Sequence, residues 1–372
     1  MTRYGFVIPT YNEAEYIGRT IESIANQQDE QGRPVSRDQY EIVIADAPSD
    51  DGTAEVVAAT AEKFPGLRCT VVTDQSRSMV IQRNTGIDYL LGQPTPAQYI
   101  VSGDADTIFP PTWLATVEKE TKQGAAVVST AGFFEAEFWR RCPALTRRYI
   151  EHVGTVFFPQ SIVDSHVRDD DRPLFTEQVF RDFGRPVSDC AFVMEAQIYR
   201  QLGGFRPEYY DEAGTHEIPA VGWPFMFRAD FAGIDIAYVQ NPEYETSARR
   251  MLHEPEALFS GSCYTGEIEN YRSEKDDQHA VLDHFADRLD MAPLRRYVVK
   301  NYLLQQCITR PERVNRNAAY FGDVATELSE QIAAWRADHP QAVTREIFAF
   351  ADALTDRYLD PILECAAERA LA

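Results

Sequence analysis

Two carboxylates, Asp104 and Asp106, follow directly on the apolar run Tyr99-Ile100-Val101. Such a run reads as a buried strand. The acids therefore fall at a strand end and just past it, where both can reach one divalent cation. Hard oxygen ligands in this pattern suit Mg2+ or Mn2+ held jointly with substrate phosphates. Asp104-Ala105-Asp106 taken alone also reads as a polar turn, so the surrounding elements must decide between the two.

The chain opens with a strand over 4–8, closed by Pro9. Thr10-Tyr11-Asn12-Glu13 leads into a helix with Ile17, Ile21 and Ile24 at helical spacing. A second strand over 40–45 ends at Asp46, and the helix after it carries Val56, Val57 and Ala61. A third strand over 67–72 precedes a polar loop with Arg77 and a helix containing Arg83, Asn84, Gly86 and Ile87. Four strands alternating with helices predict an α/β fold with a mostly parallel, Rossmann-like sheet, ligand binding at the strands' carboxyl ends. Pro9, Asp46 and the Asp104/Asp106 pair all lie at those ends. Each aspartate alone also serves as a turn or N-cap residue. Three acidic strand ends on one rim favour a cation-plus-phosphate site.

Composition narrows the partners. The 372 residues are 44% hydrophobic and 12% aromatic, ample for a packed core. Lysine and arginine number 36 against 58 aspartates and glutamates, a net charge of −22. That surface repels nucleic acid and anionic headgroups, so a phosphate-bearing ligand needs a cation or a few placed arginines; the acidity also fits a solubility or high-salt adaptation. Six scattered cysteines without C-x-x-C spacing read as reduced thiols. No apolar segment near the N-terminus has signal-peptide length and no run approaches a membrane span, so a cytoplasmic location is expected.

The segments Val7-Ile8-Pro9-Thr10-Tyr11-Asn12-Glu13, Ile44-Ala45-Asp46-Ala47-Pro48-Ser49-Asp50-Asp51-Gly52-Thr53, Gln82-Arg83-Asn84-Thr85-Gly86-Ile87 and Asp104-Ala105-Asp106 resemble, in order and spacing, the first half of the family 2 glycosyltransferases. The resemblance implies a GT-A fold and a nucleotide-sugar donor. It implies that Pro9, Tyr11, Glu13 and Asp46 hold the base and ribose, and that Asp104 and Asp106 bind Mg2+ or Mn2+ and through it the donor diphosphate. Arg77 and Arg83 join the donor-binding candidates. Where the family commonly has Asp-Asp-Gly-Ser, this chain has Asp46-Ala47-Pro48-Ser49: the first aspartate is kept and the second lost.

Further on, a helix over 111–123 and a strand over 125–130 are expected, then one amphipathic helix over 137–158 bearing Arg140, Arg141, Arg147 and Arg148. That basic face either meets an anionic acceptor or membrane surface or pairs with neighbouring carboxylates. The polar span 160–186, with Arg168-Asp169-Asp170-Asp171-Arg172, reads as a mobile insertion. Asp189-Cys190-Ala191-Phe192-Val193-Met194 and Leu202-Gly203-Gly204-Phe205 resemble the family's acceptor-side strand and helix. Aligning the helix end at Arg228 with the family's places Val221 and Gly222 where an acidic pair usually supplies the general base. Asp211, Glu212, His216 and Glu217 lie upstream as replacements, Glu217 foremost because it follows His216 between the Gly-Gly-Phe turn and the Arg228 helix. Inverting transfer needs such a base; retaining transfer does not need one there, so stereochemistry stays open.

After a strand over 235–239, Thr246-Ser247-Ala248-Arg249-Arg250-Met251-Leu252-His253 matches the region that closes over the donor in related enzymes. His253 then offers imidazole to the cation, and Arg249 and Arg250 the diphosphate. From about 256 the strand signals vanish. Phe321, Val324, Leu328, Ile332 and Trp335 form one helical stripe; Ile347, Ala351, Leu354, Tyr358 and Ile362 form another. The stripes pack on each other and on the catalytic domain, or form a homodimer contact.

The expected organisation is a GT-A domain over 1–255 and a helical C-terminal extension over 256–372. The expected activity is metal-dependent transfer of a sugar from a nucleoside-diphosphate sugar to a hydroxyl on a small-molecule, glycan or lipid-linked acceptor. The competing readings are a non-catalytic nucleotide-sugar-binding protein on a degenerate transferase scaffold, and a sugar nucleotidyltransferase. The second lacks the glycine-rich, lysine-bearing N-terminal loop such enzymes need.

Overall fold

The structure is a computed structural model and describes residues 3–76, 78–167, 173–184, 186–256 and 276–371. It contains seven strands: β1 (Tyr4–Thr10), β2 (Tyr40–Asp46), β3 (Cys69–Thr73), β4 (Tyr99–Gly103), β5 (Val127–Phe134), β6 (Ala191–Glu195) and β7 (Ile236–Thr246). They form one sheet in the order β3-β2-β1-β4-β6-β5-β7. β1 runs parallel to β2 and β4, and β2 to β3, while β6 is antiparallel to both β4 and β5. This is the expected α/β architecture, a parallel half joined to a mixed half, with a helical C-terminal region after it in the chain.

The chain divides into two compact units. The first takes Met1–Phe133, Val187–Pro207 and Ile218–Ser247; the second takes Phe134–Pro186, Glu208–Glu217 and Ala248–Ala372. These differ from the division at 255/256 expected from the sequence. The segment between 134 and 186 packs aromatic rings against the C-terminal helices: Phe157 and Phe180 both meet Tyr302, and Phe183 meets Tyr320.

In the first unit, β1, β2 and β4 are buried along nearly their whole length, as strands covered on both faces by helices must be. Helices α1 (Ile17–Ala25), α2 (Thr53–Glu62), α3 (Met79–Leu91) and α4 (Trp113–Lys122) connect and flank them. Phe109 stands just past the acidic pair and is 2% exposed, its ring 4.7 Å from Trp113 and 5.7 Å from Phe6. Burying a ring this size contributes about 2–3 kcal/mol, enough to seat the whole turn after β4. Helix α1 pins the same turn: Thr20 Oγ1 donates to the Ala105 carbonyl at 2.6 Å, and the Phe109 N–H donates to Ser23 Oγ at 3.1 Å. Gly86 lets α3 lie close to β1, since a Cβ there would stand 2.6 Å from Val7. That approach delivers Arg83, one turn earlier, to the end of β4.

In the second unit the single helix expected over 137–158 is two, Ala136–Arg141 and Pro143–Val153. Pro143 has no N–H to continue the first helix and biases Cys142 away from helical geometry; Cys142 sits at φ −121° and ψ 60°. The basic face finds partners in place, Arg140 pairing with Glu137 at 3.4 Å and Arg148 donating to the Leu289 carbonyl at 2.7 Å. The expected mobile insertion over 160–186 instead holds helices Gln160–His166 and Gln178–Phe183, with Ile162, Phe175, Val179, Phe180 and Phe183 buried. Its Arg168-to-Arg172 run lies outside the described residues. Both C-terminal apolar stripes are largely inward-facing: Leu328, Ile332, Ile347, Leu354 and Ile362 are fully buried. No helix among the described residues is long and apolar enough to cross a membrane, and the five described cysteines are free thiols.

Candidate active site

Parallel pairing sets Thr10 of β1 opposite Asp46 of β2, so two strand ends present their side chains together. Thr10 Oγ1 donates to Asp46 Oδ1 at 2.8 Å; Ser49 donates to the same oxygen through Oγ at 2.6 Å and to Oδ2 through its N–H at 3.2 Å. Ser49 Oγ also accepts the Asn12 N–H at 2.8 Å, and Asn12 Oδ1 accepts from the Asp50 N–H at 2.9 Å. Asn12 holds φ +56°, a left-handed conformation that asparagine tolerates better than most residues. The lost second aspartate falls at Ala47, which is buried, and Ser49, at the family's serine position, closes the loop onto Asp46. Pro9 is buried in β1, and Tyr11 and Glu13 flank Asn12, both partly exposed.

At the end of β4, Arg83 is 1% exposed and ion-paired with Asp104. Its Nε donates to Ser102 Oγ at 3.0 Å and its Nη2 reaches the Asp189 carbonyl at 3.4 Å, whereas Nη1 is buried without a partner among the described residues. The second oxygen of Asp104 accepts from Cys190 Sγ at 3.1 Å. Burial, reinforced by the charges of Asp104 and Asp106, holds that thiol protonated, well above its ordinary range. Asp106 Oδ1 lies 3.3 Å from Thr246 Oγ1 at the end of β7.

Asp189 sits on the turn before β6. Its carboxylate accepts the N–H of Val221 at 3.2 Å and that of Gly222, at the start of the helix Gly222–Phe231. Burial pushes its pKa up to about 6, against the pull of Arg83 and with the added push of Asp104. The sequence places no acid at Val221 or Gly222, and the fold brings Asp189 to their backbone instead.

The remaining sequence candidates belong to the second unit. Asp211 closes its own loop: its carboxylate accepts the Thr215 N–H, the His216 N–H at 2.7 Å and His216 Nδ1 at 3.1 Å. These bonds, the Thr215 N–H foremost, hold it far below the usual carboxylate range. That is poor chemistry for a base. Glu217 bridges Tyr209 across the loop's neck and is partly exposed, and Glu212 is exposed. Arg249 is buried and Arg250 partly exposed in the short helix Arg249–His253, and His253 is exposed with Gln278 Nε2 at 3.2 Å from its Nε2. Arg77 lies outside the described residues.

Sequence reasoning gave no role to Ser49, Asp189, Cys190 or Thr246. All four lie in segments quoted for their resemblance to the family, and Ser49 has the further local signal of its place three residues after Asp46 in a turn. The donor set suits a shared cation. Among the described residues no three His, Cys, Asp or Glu side chains converge as a metal group, but Asp104, Asp106 and Thr246 offer hard oxygens. Mg2+ and Mn2+ commonly bind through one or two carboxylates and complete their shell with water and substrate phosphate.

Residues 6–164 match the profile of the family described as Glycosyl transferase family 2. The matched region, less than half of the chain, runs from β1 through β5 into the second unit's first helices. Glycosyltransferase AglE of Haloferax volcanii is 29% identical over 86 residues, 23% of this chain and 26% of its own length. The dolichyl N-acetyl-alpha-D-glucosaminyl phosphate 3-beta-D-2,3-diacetamido-2,3-dideoxy-beta-D-glucuronosyltransferase of Methanococcus voltae is 31% identical over 87 residues, 23% of this chain and 25% of its own. The chain therefore spans about a quarter of the length of these relatives. The mannosyltransferase PcManGT from Pyrobaculum calidifontis, solved in complex with GDP-Man and Mn2+, aligns over 99% of this chain and 87% of its own at 17% identity, with a TM-score of 0.47.

Proposed function

We propose that the protein is a glycosyltransferase that moves a sugar from a nucleoside-diphosphate sugar to a hydroxyl-bearing acceptor with the help of Mg2+ or Mn2+. The observation that carries this reading is the Asp104/Asp106 pair at the end of β4, next to the buried Arg83, on the rim that also bears Asp46. In this reading the Thr10–Asn12–Asp46–Ser49 network shapes the seat for base and ribose. Asp104 and Asp106 would hold the cation, which when bound neutralises charge on the departing diphosphate. Arg83 aligns Asp104 and adds positive charge behind the place where the diphosphate would sit.

The acceptor hydroxyl must lose a proton as it attacks. Asp189 is assigned this role ahead of Glu217, because burial raises its carboxyl toward neutrality, helped by Asp104 and against the pull of Arg83, and because it stands at the backbone of Val221 and Gly222. Asp211 and His216 are assigned to loop closure. A panel of UDP-, GDP- and dTDP-sugars incubated with the protein and Mn2+, without acceptor, tests the reading. Slow release of free nucleoside diphosphate supports it. Binding without release points to a non-catalytic scaffold, and release of pyrophosphate from a nucleoside triphosphate plus sugar phosphate points to a nucleotidyltransferase.

A further inference from the structure

The last three residues of β7 are fastened to the first unit's acidic rim at three points. Glu245 exchanges two backbone hydrogen bonds with Ile108, at 2.8 and 3.1 Å. The hydroxyl of Tyr244 donates to Ser188, next to Asp189, and its ring occupies the space a Cβ on Gly132 would need. Thr246 is thereby held with its hydroxyl 3.3 Å from Asp106 Oδ1. That separation is long for an O–H···O hydrogen bond, which favours about 2.7–2.8 Å. It also lies close to the spacing of two oxygens on adjacent corners of one cation shell: Mg2+–oxygen bonds of about 2.0–2.1 Å at right angles put them roughly 2.8–3.0 Å apart, so the pair has only a few tenths of an ångström to close. Beside the pair, the buried Nη1 of Arg83 has no acceptor among the described residues, so its charge is left only partly compensated by Asp104.

We infer that Thr246 is a ligand of the divalent cation alongside Asp106, with the Tyr244–Glu245–Thr246 end of β7 acting as the strap that fixes it. This deepens the proposed function, on which it rests for the identity of the cation as Mg2+ or Mn2+. A neutral hydroxyl adds a hard oxygen without adding charge to a rim that already carries Asp104, Asp106 and Asp189, and it is invisible to any search for clustered acids and histidines.

Mn2+ titrated into the full chain and followed by electron paramagnetic resonance tests the assignment without any turnover. Thr246→Val, equal in shape, is expected to weaken Mn2+ binding by about tenfold or more while its melting temperature in EDTA stays that of the parent. Thr246→Ser keeps the hydroxyl and is expected to stay within about twofold. Should the valine variant fold poorly, Thr246→Ser against Thr246→Ala isolates the same hydroxyl. Parent-like Mn2+ affinity in the valine or alanine variant overturns the proposal, as does a serine variant as weak as they are or a parent that binds no Mn2+. Nucleoside-diphosphate release is scored separately: a parent that binds Mn2+ through Thr246 yet turns over no donor leaves this site standing and removes the transferase reading.

Discussion

Arg83 and Asp104 form an ion pair in which the guanidinium is 1% exposed and the carboxylate keeps 22% exposure. The cation is committed from one side by Ser102 and from the other by Asp104, so the pair fixes the geometry of the β4 end before any ligand arrives. A buried guanidinium left unpaired is costly, and so is the reverse.

Arg83→Ala should therefore destabilise the fold by about 3 kcal/mol, the lower end for breaking a buried pair, because Asp104 retains access to water. Arg83→Lys should recover part of this but not the fork-shaped contact with Ser102 and Asp104. Urea unfolding at pH 7 measures both, and an Arg83→Ala protein as stable as the parent would show the pair to be energetically idle.

Asp211 makes a prediction about pH. Its folded pKa is depressed by the Thr215 and His216 bonds, so its contribution to stability is present above the unfolded value of about 3.9 and is lost as pH falls through the folded one. Asp211→Asn should lower the melting temperature at pH 7, and the gap to the parent should close below about pH 4. A gap that is constant with pH would mean the loop is not held by the charged form.

The sequence displays the parallel half of the fold because each of its strands is a local apolar run with a polar stop, so Pro9, Asp46 and Asp104 could be placed at strand ends by reading along the chain. What stayed hidden depends on distant pairings. Cys190 reaches Asp104 across 86 positions because β6 runs antiparallel to β4, and Thr246 reaches Asp106 across 140 because β7 extends seven residues beyond the end expected at 239. Asp189 could not be matched to Val221 and Gly222 by alignment, since a carboxylate and the N–H groups it accepts need share no sequence signal. The break at Pro143 was a different case, legible from proline's missing donor but masked by an amphipathic pattern that continues across it.

Asp189→Asn should lower turnover by roughly 10²–10⁴-fold with donor affinity nearly unchanged, the ordinary worth of a general base, while Glu217→Gln should do much less. In the parent the rate should rise with pH through about 6, the value set by burial, or through a lower pH once a bound cation adds its attraction. Loss of that limb in Glu217→Gln, with Asp189→Asn behaving as the parent, would transfer the role to Glu217.

The most direct test of the account compares the parent and Asp106→Asn for Mn2+-dependent release of nucleoside diphosphate from nucleotide-sugars, with folding checked by thermal melting in EDTA. The parent should release nucleoside diphosphate from at least one donor, and only when Mn2+ or Mg2+ is present. Asp106→Asn should melt with the parent and release none, because its side chain extends from a turn held by Phe109, Thr20 and Ser23 rather than from the core. Release by the variant at the parent's rate, or release by the parent that is indifferent to EDTA, would contradict the assignment of this rim as a metal-dependent sugar-transfer site.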